Sequence, residues 1–204
     1  MIAVVDYGAG NLSSVVKAIS RLGRTSTVTS SPDVVRSAGV VVLPGVGAAG
    51  DAMAKLHELS LSDAIVDTIR RGVPFLGICL GLQVLLTLSE ESGGQRCLDI
   101  VPGTVRRLPA VGKVPHIGWN QVVQRRRHPI FNGIADASNF YFVHSYYPDP
   151  VEKGAVVGET EYGLSFCSAL AVDNIVATQF HPEKSGQEGL KLMENFFVFA
   201  TGHG

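Results

Sequence analysis

Phe75-Leu76-Gly77-Ile78-Cys79-Leu80-Gly81-Leu82-Gln83 is the stretch on which the reading of this chain turns. Its apolar start reads as a buried strand. The strand ends in Gly-x-Cys-x-Gly, and an apolar helix pattern is expected at once, over residues 80–88. A strand that turns sharply into a helix leaves no room for Cβ atoms beside the bend, which explains glycine at 77 and 81. This is the pattern of a nucleophile elbow, with cysteine where serine is more familiar. A thiol at a helix start meets unpaired N–H groups and the positive end of the dipole, both of which favour a thiolate.

Moving outward, the first half alternates strand and helix. Residues 2–5 read as a buried strand, 8–11 as a loop, and 12–22 as a helix with Val15, Val16, Ile19 and Leu22 on one face. A short strand is expected over 25–28. A continuous apolar strand over 40–43 is expected to stop at Pro44-Gly45, and a helical region over 51–71 to break near Ser60. Continuous apolar strands between helices argue for a parallel sheet covered on both faces. From about residue 104 to 178 the apolar segments shorten. Strands are expected over 122–123, 140–143, 155–158, 165–172 and 175–180, with a hairpin turning at Asp173-Asn174. A helix over 187–200 closes the chain. With no repeat and no linker, residues 1–204 read as one domain: α/β, a mostly parallel central sheet flanked by helices, with an added antiparallel β region.

Composition narrows the function classes. The chain has 204 residues, a net charge of −1, 46% hydrophobic and 17% charged residues. Nothing there points to nucleic acid or a membrane surface, and Arg125-Arg126-Arg127, the one basic run, reads as a solvated turn. The three cysteines lie far apart without a CxxC pair, so neither disulfides nor a metal site is expected. An active thiol fits a reducing compartment, hence the cytoplasm. The N-terminus opens directly on a strand, with no signal-peptide pattern, and no apolar run has the length of a membrane span.

A cysteine nucleophile needs a base, and the base an orienting group. His181-Pro182-Glu183 offers both at a strand end. Residues two apart in extended backbone point the same way, so the carboxylate can hold the imidazole. The sequence places this pair on the edge where parallel strands end, the edge that carries sites in open α/β folds. The loop Pro44-Gly45-Val46-Gly47 follows a buried strand and precedes a helix. Backbone N–H groups around Val46 and Gly47, together with that of Leu80, are candidate oxyanion donors. Cys97 and Cys167 lack glycine flanks and read as structural. Gly8-Ala9-Gly10-Asn11 invites a dinucleotide reading, but it lacks a third glycine and a suitably placed acid, so no nicotinamide cofactor is expected.

These motifs resemble class I glutamine amidotransferases. More narrowly, they are similar to the glutaminase subunits of imidazole glycerol phosphate synthases. The resemblance runs from end to end. It rests on Asp6-Tyr7-Gly8-Ala9-Gly10-Asn11-Leu12, Leu43-Pro44-Gly45-Val46-Gly47, Pro115-His116-Ile117-Gly118-Trp119-Asn120, Tyr141-Phe142-Val143-His144-Ser145-Tyr146 and Gln179-Phe180-His181-Pro182-Glu183-Lys184-Ser185, besides the elbow. It implies glutamine hydrolysis by Cys79, His181 and Glu183, with Gln83, Ser145 and Tyr146 holding the ends of the substrate and no cofactor. It also implies a (β/α)₈-barrel cyclase subunit as partner, in a heterodimer, with Asn11, Trp119, Asn120 and Lys184 near the interface. By its chemistry alone, a Trp between Gly and Asn on a loop can anchor an interface. One departure stands out: the family commonly carries an aromatic residue after Gly47, and this chain has Ala48-Ala49, which leaves the pocket mouth less filled.

Three rivals remain open at this level. One is an amidotransferase serving another synthase, such as that of pyridoxal phosphate or anthranilate. A second is a cysteine hydrolase or thiol stress protein on a similar sheet. The third is a binding module in which Cys79 and His181 lie far apart.

Overall fold

The structure is a computed structural model that describes residues 1–8, 10–110 and 113–202; Ala9 of the expected loop lies outside them. In chain order the elements begin with β1 (Ile2–Val5), α1 (Leu12–Arg21), β2 (Ser26–Thr29), α2 (Pro32–Arg36), β3 (Val40–Gly45), α3 (Ala49–Glu58) and α4 (Leu61–Arg70). The elbow follows as β4 (Phe75–Cys79) and the single turn α5 (Leu80–Gln83). Then come β5 (Leu86–Ser89), β6 (Gln95–Arg96), β7 (Val101–Arg107), β8 (His116–Gln124), β9 (Ser138–His144) and β10 (Tyr146–Pro150). The chain closes with β11 (Val156–Glu161), β12 (Ser165–Val172), β13 (Ile175–Thr178) and α6 (Gly186–Thr201).

Nine strands form one sheet in the order β2-β1-β3-β4-β13-β12-β11-β8-β9. The pairings from β2 to β13 are parallel, and those from β13 to β9 are antiparallel. The antiparallel region is thus continuous with the parallel one and as wide. Successive residues of the parallel strands point to opposite faces. Val41, Leu43 and Phe75 join Met53, Leu56, Leu61 and Ile65 of α3 and α4 on one side. Val42, Leu76 and Ile78 join Val15 and Ile19 of α1 and Leu192, Met193 and Phe196 of α6 on the other. Because both faces are covered, these strands are apolar throughout.

Several expectations need correction. The helix expected over residues 80–88 is one turn long, and Leu86–Ser89 is a strand. Competing tertiary hydrogen bonds explain it. The carbonyls of Val84, Leu85 and Leu86 accept from the N–H groups of Leu98, Ile100, Val101 and Asp99 at 2.9–3.0 Å, so they cannot serve a helix. A dipole summed over one turn is small, and the helix-dipole argument for Cys79 loses most of its force. The strand expected to stop before Pro44 runs through it to Gly45. Val41 N–H points to β4, donating to the Pro74 carbonyl at 2.9 Å. By alternation the Pro44 nitrogen points to β1, whose pairing with β3 already ended at Val42, so the missing N–H breaks no ladder bond.

The second half holds more strand than expected. A separate four-stranded sheet, β10-β7-β5-β6, packs over the α3–α4 side through Leu86, Val101 and Val105. β8 runs for nine residues where residues 122–123 were expected, because Ile117, Trp119 and Val123 face outward and hide the usual apolar-inward alternation. The helix α2 had no foreseen counterpart. The Asp173-Asn174 hairpin is present, closed by the pair Val172 and Ile175, with Asp173 at φ 48°. Arg125, Arg126 and Arg127 are exposed just past β8.

Candidate functional site

The parallel half brings two strand ends together. β4 and β13 are neighbours, with Ile78 paired to Thr178. Cys79 ends the first strand, and His181 follows the second by three residues. Cys79 takes φ 55° and ψ −106°, a sparsely populated conformation for a residue with a Cβ. Such strain costs about 1–3 kcal/mol and persists only where the surroundings enforce it. They do so closely. A Cβ on Gly81 would lie 1.9 Å from the Leu43 carbonyl oxygen, and one on Gly77 would lie 2.8 Å from the Gly81 carbonyl oxygen. Only glycine lets α5 settle against β3 this tightly.

His181 is 1% exposed. Its Nδ1–H donates to Glu183 Oε1 at 2.8 Å, and the Glu183 side chain is wholly buried. The same oxygen accepts a short bond from Asn11 Nδ2. Nε2 of His181 makes no regular hydrogen bond of its own. Burial alone lowers the proton affinity of this imidazole. The nearby Cys79 sulfur and the hydrogen-bonded Glu183 carboxylate outweigh it and push its pKa up to about 10. The turn Pro182–Lys184 is pinned from behind, since a Cβ on Gly189 of α6 would lie 1.9 Å from the Pro182 carbonyl oxygen.

A cavity of about 230 Å³ opens over Cys79. Val46, Gly47, Leu80, Gln83, Ser145 and Tyr146, all singled out in the sequence, line it, with Glu91, Pro115, Val143 and His144. Gly47 takes φ 96°, which glycine alone adopts without strain. Gln83 is committed more deeply than expected: its Nε2 donates to the Tyr146 carbonyl at 2.9 Å and to Gln179 Oε1 at 3.0 Å. That leaves only its carbonyl oxygen to offer a ligand. Ala49, at the departure from the family pattern, is buried and starts α3, and its N–H donates to Glu91 Oε2 at 2.6 Å.

The four expected interface residues divide. Trp119 is 57% exposed on β8, packed edge-on to Tyr141, and Lys184 is exposed on the turn beside the site. Asn11 and Asn120 turn their side chains inward, the first to Glu183 and the second to His116 Nε2 at 3.3 Å and the Glu161 carbonyl at 3.0 Å. Cys167 is buried, and burial raises its pKa. Burial and nearby Glu91 push Cys97 up to about 11. Neither thiol matches the setting of Cys79.

Sequence reasoning passed over Glu91, His116, His144 and Gln179. Glu91 arrives on a turn whose tertiary position no local pattern signals. His144 Nδ1–H donates to the Tyr146 carbonyl at 2.8 Å, and its Nε2 accepts from His116 Nδ1–H at 3.0 Å. Burial lowers the pKa of His144 to about 3, the Tyr146 bond opposing and the charges of His116 and His181 adding. Gln179 had a readable signal: it precedes His181 by two, as His181 precedes Glu183, so all three can share a side.

Comparisons with known proteins identify the family and the fold. The family model described as glutamine amidotransferase class-I matches residues 3–200. A protein of Dehalococcoides mccartyi named imidazole glycerol phosphate synthase subunit HisH is 52% identical over 202 residues, 99% of this chain and 98% of its own. Proteins of the same name are 53% identical in Chloroflexus aurantiacus, over 96% and 94% of the two chains, and 50% identical in Methanothermobacter thermautotrophicus, over 96% and 97%. A crystal structure of a glutamine amidotransferase superposes with a TM-score of 0.78 at 17% identity, covering 98% of this chain and 100% of that one. PurLQS from Thermotoga maritima gives 0.77 at 17%, covering 97% of each. At that identity the two structures speak for the fold alone. The chain belongs to the class I glutamine amidotransferase family.

Proposed function

We propose, from that membership, that the chain is the glutaminase subunit of an imidazole glycerol phosphate synthase. It hydrolyses glutamine to glutamate and ammonia, and feeds the ammonia to a cyclase subunit in histidine biosynthesis. The relatives at about half identity over nearly full length, all carrying the HisH subunit name, support the substrate and the pathway. In this reading residues 1–204 act as one amidotransferase domain, and the partner is a (β/α)₈ barrel in a heterodimer. No helix among the described residues is long and apolar enough to cross a membrane. The cytoplasm, where a thiol stays reduced, is the proposed compartment.

The reaction follows from the residues. The proton that Cys79 and His181 share rests on His181 Nε2, and the sulfur attacks the side-chain amide carbon of glutamine. Negative charge gathers on the former carbonyl oxygen, where N–H groups of Leu80 and of the Val46–Gly47 segment stabilise it. His181 returns the proton to the departing nitrogen, and ammonia leaves. Water then attacks the thioester with His181 as base, releasing glutamate and restoring the thiol. Glu183 keeps the imidazole in the tautomer and orientation that present Nε2 to the sulfur. At the other end of the pocket, the backbone at Ser145–Tyr146 takes the substrate carboxylate. The Gln83 carbonyl oxygen and Glu91 suit its ammonium. Trp119 and Lys184, exposed beside the site, are the proposed contacts with the cyclase, and Asn11 and Asn120 back them from beneath.

The observation that carries this reading is the pairing of β4 with β13, which sets an elbow cysteine and a carboxylate-held histidine side by side. Its test is Cys79→Ala in the assembled pair. Glutamine-dependent turnover should fall about 10⁴-fold or more, while turnover with added ammonium salts continues. Glutaminase activity retained in that variant would defeat the mechanism. Failure to bind the cyclase barrel would defeat the choice of partner.

A further inference from the structure

Gln179 is wholly buried between β13 and His181, and the mechanism above gives it no work. Its Nε2 lies 3.5 Å from Cys79 Sγ. Which end of an amide faces a neighbour must be inferred from the network around it, and here the network leaves one answer. The Tyr146 carbonyl can only accept. Gln83 must therefore turn its Nε2 to it, at 2.9 Å, and the second hydrogen of that nitrogen goes to Gln179 Oε1 at 3.0 Å. Gln179 is left to present N–H to the sulfur. Reversing it would reverse Gln83 and set two carbonyl oxygens face to face. The same Tyr146 oxygen is held by His144 Nδ1–H at 2.8 Å, and His144 in turn by His116. The acceptor that orders the whole chain is thus fixed from both sides.

We propose that Gln179 is a further catalytic residue of this site, donating its side-chain N–H to the Cys79 sulfur and holding the negative charge that forms there. The proposal rests on the reading of Cys79 as nucleophile. Besides His181, the sulfur lies 3.9 Å from the Val143 carbonyl, which can accept only from the protonated thiol. When the proton moves from Sγ to His181 Nε2, that contact turns unfavourable, whereas the Gln179 bond becomes charge-assisted and stronger. The short α5 contributes little dipole, so a side-chain donor matters more here than behind a long helix. The titratable groups facing the sulfur are His181 after β13, Tyr7 after β1, His144 at the end of β9 and Glu91 across the cavity, with Glu183 behind His181.

The test is alkylation of Cys79 by iodoacetamide in the full chain, followed by peptide mass between pH 5.5 and 9. Wild-type Cys79 should react faster than Cys97 and Cys167. Gln179→Leu removes the donor. Gln179→Glu keeps the shape and the acceptor for Gln83 but turns an oxygen to the sulfur. Both should slow alkylation at pH 6.5 about tenfold or more and move the acid limb of the profile to higher pH. Wild-type rates and profiles in both would overturn the proposal and leave the nucleophile reading standing. Wild-type Cys79 no faster than Cys97 would bring down that reading, and this proposal with it. A measurement without substitution at 179 covers the case in which neither variant folds. The side-chain amide protons of Gln179 should shift strongly by NMR between wild type and Cys79→Ala, and an unmoved resonance overturns the proposal.

Discussion

His181 and His144 stand at the ends of two strands in the two halves of one sheet, both almost completely buried, and their basicities move in opposite directions. His181 follows β13 in the parallel half, and its pKa is pushed up to about 10 despite burial, because a sulfur and a carboxylate face its two nitrogens. His144 ends β9 in the antiparallel half and is lowered to about 3, because burial there is opposed only by the Tyr146 carbonyl, while the charges of His116 and His181 add to it. Burial sets the cost of charge; the neighbours decide whether the charge is held. The parallel half delivers a charged pair to the site. The antiparallel half delivers neutral, oriented donors and the wall of the pocket.

The sharpest way to break that contrast is His181→Ala. In the assembled pair it should cost about 10⁴-fold in glutamine-dependent turnover, measured by steady-state glutamate release. A loss of tenfold or less would mean that the two halves do not differ in this way. Gly81→Ala tests the packing beneath. Its Cβ would meet the Leu43 carbonyl at 1.9 Å, and the folded state should lose about 4 kcal/mol or more in urea unfolding.

The histidines also predict opposite limbs of a stability–pH curve. His181, raised in the fold, contributes stability that is present below its unfolded value of 6.5 and lost as pH rises through about 10. His144, lowered in the fold, binds a proton more readily when unfolded, so stability falls as pH drops from 6.5 toward about 3. At pH 5 the loss from His144 should be about 2 kcal/mol. His144→Gln should flatten the acid limb and Glu183→Gln the alkaline one, read from urea midpoints across pH 4–10. Swapped or unchanged limbs would contradict the assignment. The smallest effect concerns the outer face of the antiparallel half. Trp119→Ala should weaken binding to the proposed cyclase partner about tenfold by calorimetry, while the melting temperature of the free chain stays within a degree or two.

The elbow, the His-x-Glu pair and the strands β1, β4 and β12 were readable because each depends on neighbours in sequence: a glycine on either side of Cys79, a two-residue alternation, an unbroken apolar run. The single-turn α5, the second sheet and the strand through Pro44 were not. Each is decided by hydrogen bonds to segments far along the chain, such as those from residues 98–101 to the carbonyls at 84–86. β8 was shortened in the reading because its outward face carries Ile117, Trp119 and Val123, and apolar residues facing solvent look like noise to a rule built on burial. In the site, the proposed triad and six lining residues were named in advance. Glu91 was not, since it sits in no local pattern, and His144 stood in a quoted stretch without a role, because its partners His116 and the Tyr146 carbonyl meet it only in the fold.

By itself the amino-acid order determined a cysteine on a sharp bend, a histidine with a carboxylate two residues on, and the family to which they belong. These are local facts, set by sterics and by the period of extended chain. Only the folded sheet decided that β13 lies beside β4, that Gln179 must turn its N–H to the sulfur, and that one buried histidine holds a proton that another refuses. Those depend on partners a hundred residues away, and electrostatic neighbours are a property of space rather than of sequence.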